Sequence, residues 1–146
     1  MAKRNFVGAK GAKILRRVAR HILAEPRRYE QNGIVQVGTP GAVYKGKHKF
    51  PACVTVACIG GWIQTLYIPR GDWGAHGVGI GLNHHKIAEL LGVPVNSELK
   101  LVSYTNLGMY SIWPQKYRAA YNKAKTPRQK ARIAVERIEF FIKTGE

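Results

Sequence analysis

The sequence predicts a mainly α protein: a single compact domain of four or five helices around a buried central helix, with a basic N-terminal arm and a Gly-rich loop. Three observations carry that expectation. Apolar residues recur at helical spacing over 14–23 and again over 131–142. Residues 52–68, ACVTVACIGGWIQTLYI, hold no charge at all. The last apolar run is bracketed by residues that start and stop helices. With 146 residues, 45% of them hydrophobic, the chain can bury one core and has little room for a second.

The opening residues, MAKRNFVGAKGAK, contain Lys3, Arg4, Lys10 and Lys13, no acid, and only Phe6 and Val7 as large apolar groups. Such a segment buries too little to fold alone, so residues 1–13 read as a flexible arm and 14–146 as the helical domain. From Ile14 the period turns helical: Ile14, Leu15, Val18, Ala19, Ile22 and Leu23 form one apolar stripe, and Pro26 ends it near Ala24. The opposite face carries Lys13, Arg16, Arg17 and Arg20 at the same period, with Lys10 one turn earlier, and no acid occurs before Glu25. Turn formers dominate 27–50, an irregular region that holds Lys45, Lys47, His48 and Lys49.

The uncharged stretch is too short, and too diluted by Gln64, Thr55, Thr65 and Gly60-Gly61, to read as a membrane span. It reads instead as the central helix, 53–67, whose two glycines admit a close neighbour. Gly71, Gly74, Gly77, Gly79 and Gly81 make the next segment a loop, without the spacing of a phosphate-binding fingerprint. Asn83 caps a short helix, 84–91, that ends at Gly92. IAELLGV resembles the opening of a helix-turn-helix, but the helix expected over 96–104 offers Glu98 and a single cation, Lys100, which is poor equipment for a major groove. Tyr104, Tyr110, Trp113, Tyr117 and Tyr121 are either a base-stacking platform or core anchors. The last helix has Thr126 as its cap, Pro127 at its first position, Gln129 completing a capping box and Gly145 at its end.

Charge is the strongest functional signal. There are 24 Lys and Arg against 8 Asp and Glu, a net charge of +16. Residues 1–50 carry 12 basic and 2 acidic side chains, 51–110 carry 3 and 3, and 111–146 carry 9 and 3. Two basic flanks thus frame a neutral middle, a pattern that attracts polyanions. Two cysteines cannot form a disulfide framework, and the opening residues do not read as a secretory signal, so a cytoplasmic setting is expected.

A-C-I-G-G-W at 57–62, A-E-L-L-G-V at 88–93, and then W-P, T-P, R-x-A and R-I-E-x-F-I-x-T-G in the last 34 residues resemble, in that order, a family of small bacterial and phage proteins. The resemblance covers about residues 14–145. It implies a mostly helical fold and a bacterial or phage-encoded setting, and it brings no site residues with it. Where that family reads C-G-T, Cys53 is followed by Val54 and Thr55, so no role for the thiol is carried over.

The expectation is a non-catalytic nucleic-acid-binding protein that meets the phosphate backbone with low sequence specificity. Its expected contacts are Lys3, Arg4, Lys10, Lys13, Arg16, Arg17, Arg20, Lys45, Lys47, Lys49, Lys116, Arg118, Lys123 and Lys125. No cofactor, metal or membrane partner is expected. Two rivals stay open. One is a structural or assembly component, of a phage particle or a ribonucleoprotein, tethered by its arm. The other is a thiol hydrolase in which Cys53 at a helix N-terminus is served by His76, His84 or His85.

Overall fold

The computed structural model describes residues 4–29, 58–76, 79–102 and 113–146. The fold is mainly α, as the composition and periodicity predict. Among the described residues there are six α-helices: α1 Ala9–Ala24, α2 Ile59–Tyr67, α3 His84–Leu91, α4 Val95–Val102, α5 Gln115–Lys123 and α6 Pro127–Thr144. Among them, no helix is long and apolar enough to cross a membrane. The irregular region expected before residue 50 falls, from Glu30 onward, outside the described residues.

α1 and α6 form the most extensive helix pair and run antiparallel. Phe6 N donates to Lys143 O at 3.3 Å and Val7 N to Ile142 O at 3.0 Å, which fixes the start of α1 against the end of α6. The arm expected over 1–13 is accordingly shorter. α1 begins at Ala9, five residues before the apolar stripe, and Val7 is buried. Gly11 explains why this turn escaped the period. A side chain there would collide with the Leu91 carbonyl and stand 2.7 Å from Val7 Cγ1, so α1 approaches the end of α3 through a bare backbone.

The central helix is present but shorter than expected. α2 begins at Ile59, with Cys58 as its cap: Cys58 Sγ accepts from Gly61 N at 3.3 Å. Cys53 therefore does not start this helix, because the sulfur that caps it belongs to Cys58; Cys53 itself lies outside the described residues. Ile59 to Gln64 are buried against α1, α3 and α4. Gly60 serves the close approach anticipated for it, since a Cβ there would stand 2.9 Å from Leu82 Cδ1 and 3.0 Å from Val102 Cβ.

In the Gly-rich segment the structure adds a short antiparallel pair, β1 Gly74–His76 and β2 Gly79–Gly81, in which His76 faces Gly79. Asn83 caps α3, its side chain accepting from Lys86 N at 3.1 Å, and Gly92 closes the helix at φ 68°. α6 carries the full capping box at Thr126 and Gln129 and ends at Gly145 with φ 72°. Tyr117 and Tyr121 are buried, so α5 uses its aromatics as core anchors.

Candidate polyanion-binding surface

On α1, burial follows the helical period: Gly11, Ala12, Ile14, Leu15, Val18, Ala19 and Ile22 are buried, while Lys10, Lys13, Arg16, Arg17 and Arg20 are exposed. Leu23, expected in the apolar stripe, is exposed, because it falls one step beyond the buried arc. One member of the ridge is spoken for. Arg16 Nε and Nη2 donate to Glu139 of α6 at 2.9 and 3.3 Å, and this guanidinium holds the Glu139 carboxyl below the usual range. The pairing spans 123 positions of sequence, beyond the reach of any local count of acids. Arg17 lies 5.1 Å above the Tyr67 ring, a contact that orients the guanidinium and leaves its charge in place. Lys10, Lys13, Arg17 and Arg20 thus form a one-sign row.

The row runs into a cleft. Ala24, on the centre line of the same face, lines an open hollow of about 580 Å³ with Arg27, Arg28 and, from the start of α6, Thr126, Pro127 and Arg128. Arg28 Nε is held by Glu25 at 3.1 Å, whereas Arg27 and Arg128 are exposed. Arg132 follows Arg128 by one turn of α6, and lines a shallower hollow with Lys123 of α5. The antiparallel pairing of α1 and α6 therefore joins the two basic flanks of the sequence into one band that turns at the cleft. Arg27, Arg128 and Arg132 were not among the expected contacts. Their signal is tertiary: only the pairing of the two helices places them beside the ridge.

The remaining cations divide. Lys3, Lys45, Lys47 and Lys49 lie outside the described residues. Arg4 is exposed ahead of α1, and Lys116 and Lys125 are exposed at the start of α5 and just before α6. Arg118 donates from Nε to Trp113 O at 2.9 Å, so part of its donor set is used on the segment that leads into α5. Arg137 of α6, unlike these, is fully buried. Its guanidinium lies 5.7–6.0 Å from the ring centres of Trp113, Tyr117, Phe140 and Phe141. Nη2 donates to Lys100 O at 2.8 Å and to Glu146 O at 2.5 Å, while Nε and Nη1 have no partner among the described residues. Burial brings its pKa down to about 10, so the group stays charged at neutral pH.

The histidines expected to serve a thiol are placed as follows. His84, at the start of α3, holds both oxygens of the fully buried Glu98 at 3.0 Å through Nδ1. Burial pushes the Glu98 carboxyl above its ordinary range, against the pull of His84. His85 is exposed, and the backbone of His76 lies in β1. The described thiol, Cys58, is buried and pushed up to about 11 by desolvation, which keeps it protonated at neutral pH. Among the described residues, no group of three or more His, Cys, Asp or Glu is placed to hold a metal ion. The chain matches no protein-family model, no curated protein and no solved structure.

Proposed function

We propose that the protein binds nucleic acid through its phosphates, without sequence readout, along the band that starts on α1. The observation that carries this reading is the segregation of charge: Lys10, Lys13, Arg17 and Arg20 share one exposed helix face that carries no acid of its own. A face shaped only for solubility gains from mixed signs, which pair at i, i+4 and avoid self-repulsion. A one-sign face costs stability unless a polyanion completes it. The side chains in the band are Lys and Arg, groups that meet phosphate oxygens, and the band has no cluster of Asn or Gln to read base edges.

The experiment is a fluorescence anisotropy titration against short DNA and RNA from low to physiological salt, with heparin as a competing polyanion. The proposal expects log K to fall steeply and linearly with log salt, with a slope of about −5 for half a dozen phosphate contacts. Binding that is no tighter to any nucleic acid than to heparin, and that vanishes at physiological salt, would overturn it.

A further inference from the structure

Resting on the reading of the band as a phosphate-binding surface, we infer that its partner is a duplex and not a single strand. Proteins that hold single strands combine cations with exposed aromatic faces on which successive bases stack. Among the described residues the band carries no fully exposed aromatic ring. Trp62, Trp113, Tyr117, Tyr121 and Tyr29 are buried, Trp73 and Phe140 are half-buried against the core, and the half-buried Tyr67 ring beside the ridge has Arg17 over one face. The exposed aromatic, Phe6, leans edge-on against Phe141 with centroids 6.3 Å apart, at the end of the α1–α6 pair opposite the cleft. What remains is charge and shape.

On charge alone a duplex wins. It presents one phosphate per about 1.7 Å of axis, twice the line density of either strand, and it is stiff before binding. A single strand offers fewer phosphates to the same cations and must be ordered to follow them. Shape argues the same way. From Lys10 to Ala24 the ridge is about 21 Å long at the rise of an α-helix. The band then turns through the cleft onto Arg128, Arg132 and Lys123, so its cations are spread over a surface. Two strands flanking a groove present phosphates over a surface; a lone strand presents a line. The exposed bulk of α1 is Lys and Arg, whose flexible stems reach phosphates on either side of a groove without entering it.

The test compares a duplex of about two helical turns with each of its component strands, in DNA and in RNA, at physiological salt. The duplex is expected to bind on the order of tenfold tighter than either strand, and the DNA and RNA arms report which duplex geometry is preferred. Equal or tighter binding of the single strands would overturn the duplex inference and leave the phosphate-binding reading intact. Failure to bind either form would remove the reading on which the inference rests.

Discussion

Helices α1 and α6 lie against each other and are 16 and 18 residues long, and α6, unlike α1, buries one of its arginines. α1 leaves its cations outside on one face. α6 answers Arg16 with Glu139 and encloses Arg137 completely among four aromatic rings. A net charge of +16 is therefore not one quantity. Some of these cations belong to the fold, some are cancelled across the helix pair, and others form the exposed band on α1 and the start of α6.

The sharpest way to break the comparison is to show that the enclosed arginine behaves like the exposed ones. Arg137→Ala leaves the Lys100 and Glu146 carbonyls unmatched and opens a cavity, so it is expected to cost about 3 kcal/mol in chemical denaturation. Arg137→Met, which refills the space, should recover most of that loss. The folded fraction of either variant should bind nucleic acid as the parent does. A second test concerns the scaffold that presents the ridge. Gly11→Ala pushes α1 off the Leu91 carbonyl and should cost about 2 kcal/mol, read as a lower thermal midpoint.

Smaller effects sharpen the picture. Arg20→Ala should leave stability unchanged, reduce affinity a few-fold and lower the magnitude of the salt slope by about 0.9, the value of one phosphate contact. Arg16→Ala should do the reverse in kind: little change in the salt slope, and a stability loss of under about 1 kcal/mol, since the pair with Glu139 is exposed. That loss carries a pH signature. Because Arg16 lowers the Glu139 pKa, the pair stabilises above the ordinary carboxylate value of 4.5 and its contribution disappears as the pH falls through the folded value. Urea denaturation of parent and Arg16→Ala should therefore converge in acid.

Local signals were legible and pairings were not. The capping box of α6 and the caps of α3 were readable residue by residue, because Thr126, Gln129, Asn83 and Gly92 bond within their own turns. The first turn of α1 was hidden because Gly8, Gly11 and Ala12 are small and polar-flanked; what holds that turn is Ile142 and Lys143, at the other end of the chain. Arg137 was hidden because its charge argues for the surface, although it lies three and four residues from the buried Ala134 and Phe141. The ridge on α1 was visible as a face. Its extension through Arg27, Arg128 and Arg132 was not, because the cleft exists only once α1 and α6 lie antiparallel.

The central claim is that placement, and not net charge, makes the surface. Arg17→Glu/Arg20→Glu on α1 and Lys116→Glu/Lys143→Glu on α5 and α6 remove the same charge from exposed positions. Titrating both variants with the same duplex at physiological salt tests the claim directly, with far-ultraviolet circular dichroism confirming that each is folded. The account predicts a loss on the order of a hundredfold or more for the α1 variant and a few-fold for the other. Equal losses would show that the protein responds to its overall charge, and would contradict the assignment of the band.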